Sequence, residues 1–584
     1  MQATSPTIIS NRFILAYRAE QTMKEGRWYT FSLLSTFFIA LTLRLILPLE
    51  FNVWGPDTGE NYYIAKFFAV NGMMPSPYYG FGLTYTEFPT AYQLVASIAR
   101  LAGVSTASSV ELTTSFVTSF LVFPVAGIAL TVTGRKSAGI LAALFYATST
   151  VIVGHTSILA SDPIGEVVLV FFIYFYLNSR RDRMMTAMAM ISGLAMIPTY
   201  HLGTVILLLF LYTVLFYYSF FKKEDGEQLL KSLTFILIIT TLTWIYWLTE
   251  APVFLVHFIL ENPHLTLEEA ISAPYLLAFM LFILGSLFRG RRWAPASGGR
   301  LEIKPVYPIA AIVAGVAGVS YLSLAGVSSI PIYPSAYTLL DLPTVVCTLL
   351  GIAAFLPAVR SEAKTYPLAL TLLALGVIVL VGVVTNIDYL VPERMVEYLL
   401  LFIATFSGIG IMLLIEMAPK NIRVAVTVVL TVALVVTCGV STAMVGVTTT
   451  PSKIGATPAK DLSATQWLKW NTGSGSVVAS DHRLSSLVFG FSDRNATWEI
   501  GGYPIFMAKG LSQMEGALNL SQTPSGNKTV DFLMLDTYMV QGANFYPNQT
   551  AIPIPPAVLV NISNSGDFVL VYSNGFSQLY AYAP

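Results

Sequence analysis

The chain has 584 residues, of which 55% are hydrophobic and only 11% are charged. Soluble domains carry about 25% charged residues, so this composition excludes an ordinary soluble protein and favours a polytopic membrane protein. The 32 basic and 32 acidic residues cancel, which leaves no global field to attract a nucleic acid, and we expect no nucleic-acid partner.

The first element is a polar segment, residues 1–27, which we interpret as a cytoplasmic lead because the apolar run after it is too long for a signal peptide. Residues 28–446 form a transmembrane domain in which apolar segments of about 17 to 25 residues, long enough to cross a bilayer, follow one another. We predict thirteen spans, at 28–49, 110–134, 137–154, 163–177, 185–198, 202–220, 231–248, 271–288, 306–325, 338–358, 366–385, 395–416 and 421–446.

The charges of the loops between these spans predict their orientation. Lys and Arg concentrate in short cytoplasmic loops, and alternate loops of this chain hold nearly all of them. An odd number of spans with the N-terminus inside places residues 447–584 outside. We therefore expect an integral protein of the cell membrane with a cytoplasmic N-terminus and an extracytoplasmic C-terminal domain.

The long first outer loop, residues 50–109, mixes carboxylates, aromatic residues and prolines. Asp57 lies just beyond the first span and could act as a general base or as a ligand of a divalent cation. Helices that lie flat at the membrane surface are expected to follow it. Asp57 with Glu60 three residues later equally fits a capping box at a helix start, and the residues alone do not decide between these interpretations.

The second outer loop carries His155 and Asp162, and Glu166 follows one turn inside the fourth predicted span. An ionisable side chain inside a membrane is costly unless it is paired or faces a wet cavity, so Glu166 is a candidate functional residue. The alternative is that its side chain extends to the membrane surface.

Three further polar residues are predicted to lie on the outer side. His201 belongs to a tight outer turn, Arg394 lies at the start of the twelfth span, and Arg44 lies about one turn inside the end of the first. An arginine at a membrane mouth suits a lipid-linked phosphate, which it can bind through two hydrogen bonds. Membrane anchoring or an ion pair with Glu393 or Glu397 is the alternative.

The C-terminal segment from residue 447 is richer in Gly, Pro, Ser and Asn and predicts a small α+β domain. A helix is expected at 461–470, strands at 476–479, 530–535 and 568–572, and a hairpin turn at 573–575. All the glycosylation sequons of the chain lie here, which fits an extracytoplasmic location. They are Asn495, Asn519, Asn527, Asn548 and Asn561.

Short motifs in this order resemble the GT-C superfamily, membrane glycosyltransferases that use polyprenyl-phosphate-linked sugar donors at the outer face. Arg44-Leu45, the stretch from Gly55 to Tyr63, and the stretch from Tyr85 to Pro89 look like the first span, the acidic first loop and the interfacial helix of that family. The segments Thr199 to Leu202 and Glu393-Arg394 also look similar.

Thirteen spans with an outer C-terminal domain most resemble the catalytic subunit of oligosaccharyltransferase. In that resemblance Asp57 matches the first-loop catalytic acid and Asp162 the second-loop acidic motif. The WWDxG motif of that subunit is absent, however, and the stretch from Ser480 to Arg483 stands in its place. The loop 328–341 also lacks the glutamate of that family, so a true oligosaccharyltransferase is disfavoured.

The resemblance implies a polytopic α-helical, GT-C-like glycosyltransferase with a C-terminal extracytoplasmic α+β domain, whose partners are a lipid-linked sugar donor and membrane lipids. A divalent cation, Mg or Mn, could be held by Asp57 and Asp162. The alternative is a non-catalytic scaffold, assembly or transport component of a cell-surface glycoconjugate system. The expected catalytic residues are Asp57, Asp162 and Glu166, and the expected substrate contacts are Glu60, Tyr62, His201, Arg394 and Arg44.

Overall fold

The structure of the chain is a computed structural model. It describes residues 6–51, 53–180, 182–221, 226–261, 266–287, 307, 309–310, 312–314, 317, 342–361, 363–385, 392–448, 456–545 and 551–584. Up to residue 448 the described chain is almost entirely helical, and from residue 456 it folds as an α+β domain.

The helices of the first part follow one another along the chain, with a two-residue strand, β1 (Val53–Trp54), after the first. They are α1 (Pro6–Phe51), α2 (Thr58–Asn71), α3 (Thr90–Ala102), α4 (Thr106–Ser119), α5 (Val122–Thr133), α6 (Lys136–Thr148), α7 (Thr150–Thr156), α8 (Ser161–Asn178), α9 (Arg183–Met196), α10 (His201–Phe220), α11 (Gly226–Thr249), α12 (Pro252–Glu261), α13 (Leu267–Leu287), α14 (Leu342–Ser361), α15 (Tyr366–Thr385), α16 (Pro392–Met417) and α17 (Arg423–Thr448).

Among the described residues, nine helices are long and apolar enough to cross a membrane, and a tenth span results if α6 and α7, bent by 64°, are counted together. Two shorter apolar helices, Arg183–Met196 and Tyr366–Val381, accompany them. Each predicted span except 306–325 overlaps one of these helices. That segment lies mostly outside the described residues, so the number thirteen stays a prediction.

Two helices of the bundle, α8 and α16, bring acidic side chains together at one of its ends. The interior of α16 is apolar and buried, including Phe406, Ile409 and Ile411, and α16 packs against α6 and α14. The N-terminal turns of α16 carry Glu397, whereas α8 begins with Asp162 in its first turn. Packing of the apolar stretches therefore determines where these two acids meet.

The strands of the C-terminal part are β2 (Ala456–Thr457), β3 (Val477–Ala479), β4 (Asn495–Ala496), β5 (Ser521–Thr523), β6 (Gly526–Lys528), β7 (Phe532–Asp536), β8 (Ala543–Asn544), β9 (Ala551–Ile552), β10 (Phe568–Ser573) and β11 (Ser577–Tyr582). Five of them form one sheet in the order β10-β11-β7-β3-β4. Strand β3 pairs parallel with β4 and with β7, whereas β11 pairs antiparallel with β7 and with β10. The helices of this part are α18 (Ala459–Asn471), α19 (His482–Leu487), α20 (Trp498–Phe506), α21 (Leu511–Asn519), α22 (Thr537–Gly542) and α23 (Pro556–Asn564).

The predicted α+β character and secondary structure of this part are confirmed. The helix expected at 461–470 is α18, the three expected strands coincide with β3, β7 and β10, and the hairpin closes at Asn574-Gly575, where Gly575 has φ +79°. Inside the domain, the buried Arg483 pairs with Asp461 at 2.8 Å and with Asp536 at 2.5 Å. These ion pairs fix the start of α19 against the sheet.

The two parts meet at the first outer loop. Strand β1 of the loop pairs antiparallel with β2, and the Lys66 ammonium forms a 2.7 Å ion pair with Asp493. Gly59 of α2 faces the chain at Ser486 so closely that a Cβ on either Gly59 or Gly490 would overlap the facing backbone. Glycine at these positions lets the C-terminal domain approach the start of α2, beside Asp57.

Candidate active site

A cleft of about 210 Å³ opens where the first outer loop, the second outer loop and the start of α10 converge. It brings together four residues that the sequence predicts at the outer side, Asp57, His155, Asp162 and His201. Asn61 joins the two loops, because its Nδ2 donates to the Leu159 carbonyl at 2.6 Å. The cleft is also lined by Pro56, Thr84, Tyr85, Phe88, Tyr92, Ile158, Ala160, Ser161 and Tyr200.

Asp57 lies in the turn between β1 and α2, which Gly55 enters with φ +109°. It occupies the N-cap position of α2, yet its side chain makes no capping hydrogen bond. Instead the Tyr85 hydroxyl donates to Asp57 Oδ2 at 3.0 Å, and His482 Nε2 lies 2.5 Å from Oδ1. The capping-box interpretation is therefore wrong for the side chain of Asp57, which makes long-range contacts at the cleft.

Glu60 is fully buried beside the cleft and does not line it. The Tyr78 hydroxyl donates to Glu60 Oε1, and the Gly82 amide donates to the same oxygen at 2.9 Å. Burial, together with the nearby Asp57 charge, raises the pKa of Glu60 from 4.5 to about 8. This placement favours a structural role for Glu60 over the substrate contact expected from the sequence.

Three side chains that can act as metal ligands lie close together beside the cleft. His155 Nε2 lies 3.3 Å from Asp162 Oδ2 and 2.9 Å from Glu397 Oε2, and one ligand atom of each residue lies within 4.8 Å of the others. The bend between α6 and α7 brings His155 to the start of α8. One imidazole and two carboxylates suit a divalent cation. Asp57, expected to share a cation with Asp162, is not part of this group because its oxygens face His482 and Tyr85.

Glu166 and Arg44 lie deeper in the helical bundle. The Tyr146 hydroxyl donates to Glu166 Oε2 at 3.3 Å, and Glu166 is only 2% exposed, so its side chain is enclosed by the protein. Arg44 is fully buried; its Nε donates to Thr156 Oγ1 at 2.8 Å, and its guanidinium lies over the Tyr146 ring. Arg44 therefore stabilises the helix packing behind the cleft, and this burial does not favour the expected substrate contact.

The remaining predicted contacts fall in different places. His201 forms part of the cleft wall, with its ring against Phe88 and Phe254. Tyr62 lies away from the cleft and stacks on Phe491 of the C-terminal domain, with ring centroids 4.4 Å apart. The side chain of Arg394 lies outside the described residues, so its proposed contact with a phosphate stays a prediction.

Four of the sequon asparagines lie in the described part of the C-terminal domain. Asn519 and Asn527 are exposed, and Asn495 and Asn561 are partly exposed. Asn548 lies outside the described residues. Exposure permits glycan attachment at the first two, but the modification itself stays a prediction.

The C-terminal domain contributes a histidine, His482, that no motif of the sequence indicates. The His482 ring lies between Asp57 and Glu499, with Nδ1 toward Glu499 and Nε2 toward Asp57. Burial alone would lower the pKa of His482, but hydrogen bonds and charges of the two carboxylates outweigh it and raise the pKa well above 6.5. His482 and Asp57 are 425 positions apart, so no local pattern indicates the contact. Glu397, by contrast, is an acid in an apolar span, and such a position by itself indicates a functional residue.

No protein-family model matches this sequence, and no curated protein matches it. Solved structures do match. The oligosaccharyltransferase AglB from Archaeoglobus fulgidus, in complex with an inhibitory peptide and a dolichol-phosphate, is 12% identical, with a TM-score of 0.56 over 96% of this chain and 74% of that chain. The Archaeoglobus fulgidus oligosaccharyltransferase in complex with Zn and sulfate is 13% identical, with a TM-score of 0.57 over 94% and 73%.

ArnT from Cupriavidus metallidurans, bound to undecaprenyl phosphate, matches at a TM-score of 0.42 and 12% identity, over 96% of this chain and 98% of that chain. The two oligosaccharyltransferase structures have TM-scores of 0.56 and 0.57, and at identities of 12% and 13% they show a shared fold and nothing beyond it. This chain therefore has the fold of these archaeal oligosaccharyltransferases.

Proposed function

We propose that this protein is a membrane glycosyltransferase that transfers a sugar from a polyprenyl-phosphate-linked donor to an acceptor at the outer membrane face. One observation carries the proposal: Asp57, at the start of α2, and Asp162, in the first turn of α8, line the same cleft at one end of the helical bundle. A cleft with convergent polar groups at the meeting point of several elements is the usual form of a small-molecule site. The shared fold is consistent with it.

Asp57 is the proposed general base. It is 27% exposed on its side chain, whereas Glu60 and Glu499 beside it are buried. As the acceptor oxygen bonds to the anomeric carbon, its proton passes to Asp57. The bond between that carbon and the donor phosphate oxygen breaks, and the lipid phosphate leaves with the electron pair. Water is a competing acceptor, so slow donor hydrolysis is expected without the true acceptor.

His155, Asp162 and Glu397 are the residues that would hold a divalent cation such as Mg or Mn. A cation there would stabilise the negative charge that develops on the leaving phosphate. One structural relative was solved with Zn and sulfate, which is consistent with cation and anion binding in this fold. Glu166 would act as a supporting acid behind this group, and Arg394 as a contact of the donor phosphate.

The test is sugar transfer by the purified full chain, with radiolabelled dolichyl-phosphate and undecaprenyl-phosphate hexoses as donors. Transfer to membrane-extract acceptors and release of free sugar are both counted. Asp57→Ala should lower the rate at least ~100-fold, the scale of a lost general base. Asp493→Asn, which removes an exposed carboxylate on the adjoining domain, should change it less than about twofold, as expected away from the chemistry.

Two results contradict the proposal. Retained transfer by a folded Asp57→Ala protein would exclude the assigned base. A folded wild-type protein that turns over none of these donors would instead favour the non-catalytic scaffold.

A further inference from the structure

The first turn of α2 is capped by a side chain of the C-terminal domain and not by its own N-cap residue. In a helix, the N-cap side chain accepts a hydrogen bond from the backbone amide two or three positions on. Asp57 occupies the N-cap position, but the amide of Glu60, three residues later, donates to Ser486 Oγ of the C-terminal domain at 3.1 Å. Ser486 thus makes the bond that Asp57 would otherwise accept, and Asp57 is left to point elsewhere.

The direction of Asp57 is determined by His482, four residues before Ser486 on the same short helix. Ionised carboxylates only accept hydrogen bonds, so a ring that contacts an ionised carboxylate with each nitrogen carries both protons. His482 meets this condition, with Asp57 on Nε2 and Glu499 on Nδ1. The ring is therefore an imidazolium, and Glu499, only 1% exposed, fixes its orientation from behind.

We propose that the C-terminal domain positions Asp57 for catalysis, with Ser486 replacing it as the helix cap and His482 holding its carboxylate at the cleft. This inference rests on the proposed function and deepens it. His482 is a positioning residue, because it acts through Asp57 and does not line the cleft itself. The active site is then complete only when the C-terminal domain is docked on the first outer loop.

Local strain supports a role beyond packing. Trp498, next to Glu499, has φ +54°, a left-handed backbone conformation that is strained for a bulky residue. Its Nε1 and Glu499 Oε2 are buried and have no hydrogen-bond partner. Strained backbone and unsatisfied polar atoms of this kind cluster at functional sites. The segment around Glu499 therefore holds the histidine at a cost to stability.

The first test measures donor turnover by the full chain, with the same labelled polyprenyl-phosphate hexoses. His482→Ala should lower kcat at least tenfold while the KM for donor changes less than twofold, and His482→Gln, which keeps a donor toward Asp57, should restore part of kcat. The matched control is Lys66→Gln, which breaks an exposed ion pair across the same domain junction. Lys66→Gln should leave kcat within twofold.

Two kinetic outcomes would overturn the positioning role. An equal loss of kcat in Lys66→Gln would show that docking in general is responsible. An unchanged or increased kcat in His482→Ala would show that His482 does not hold Asp57 in a productive orientation.

The second test does not depend on activity and measures hydrogen–deuterium exchange of the Glu60 amide in the full chain. With Ser486→Ala alone, His482 still holds Asp57 away, so the uncapped amide should exchange at least tenfold faster than in wild type. In the Ser486→Ala, His482→Ala double variant, Asp57 is released to cap the helix, and protection should return. If the wild type transfers no sugar, the proposed function fails, and this measurement alone decides the inference. If the Glu60 amide exchanges even faster in the double variant than in Ser486→Ala alone, the proposed capping by Asp57 is refuted.

Discussion

Glu60 provides a direct test of the electrostatics around the cleft. Its pKa is raised from 4.5 to about 8, first by burial and then by the charge of Asp57. An acid with a raised folded-state pKa stabilises the fold fully below its unfolded pKa, and this stability is lost as pH rises toward the folded value. The relevant window is therefore from about pH 4.5 to about pH 8.

The magnitude follows from proton linkage. Between pH 5 and pH 7.5 Glu60 loses its proton when α2 is locally unfolded, whereas in the folded protein it stays mostly protonated. At 1.36 kcal/mol per pH unit, the free energy of opening α2 should fall by about 3 kcal/mol over this range. Replacement by the neutral Glu60→Gln should remove this dependence, and the variant should be more stable than wild type at pH 7.5.

The assay is hydrogen–deuterium exchange at Ile64 and Ala65, two fully buried residues of α2, with rates corrected for the intrinsic effect of pH. About 3 kcal/mol corresponds to a change of roughly 100-fold in protection, since 1.4 kcal/mol is tenfold. His482 also loses its stabilising contribution as pH rises above 6.5, because its folded pKa is raised. That part is common to wild type and Glu60→Gln, so the difference between the two proteins isolates Glu60.

Asp493→Asn is the matched control, since Asp493 is an exposed carboxylate that contacts α2 through Lys66. It should leave the pH dependence of α2 protection unchanged. Equal pH slopes in wild type and Glu60→Gln would refute the assignment of Glu60 as a buried, protonated acid.

Three further perturbations have clear expectations. Gly59→Ala places a methyl group against the Ser486 backbone and should weaken docking by about 1–3 kcal/mol; unchanged exchange of α2 amides would contradict the close approach. Arg483→Met leaves the buried Asp536 without its counter-charge and should cost about 3–5 kcal/mol, measured by chemical unfolding followed through the C-terminal domain. His155→Ala removes one of three ligands and should weaken Mn²⁺ binding at least tenfold by calorimetry; equal affinity would exclude the group as a cation site.

The helical part of the fold is predictable because a membrane imposes one length and one polarity on every span. The break at Ser149 between α6 and α7 is not, since the predicted span 137–154 is apolar on both sides of it. In the C-terminal domain, strands and the Asn574-Gly575 hairpin follow local turn chemistry and were predictable in the same way. The order of the strands in the sheet is not predictable in this way, because it depends on long-range packing.

The site is predictable only in its local parts. Asp57, Asp162 and His201 were expected on the outer side from loop position alone, and they line one cleft. The burial of Glu60 is not predictable from the sequence, because Tyr78 and Gly82, which donate to its carboxylate, lie beyond the end of α2 and a short Pro-containing segment. Contacts of this range leave no trace in the spacing of residues.

The separate fates of Asp57 and Glu60 show why the C-terminal domain belongs to the site. The two acids are three residues apart on the same helix start, yet one is partly exposed at the cleft and the other is fully buried. The first outer loop supplies the Tyr85 contact of Asp57. The two other groups come from α19: Ser486 accepts from the Glu60 amide in place of Asp57, and His482 holds the Asp57 carboxylate. Without that helix, α2 has an ordinary N-cap available in Asp57, and a capped Asp57 points along the helix. Docking of the C-terminal domain thus determines which of two local hydrogen-bond patterns the first-loop acid adopts.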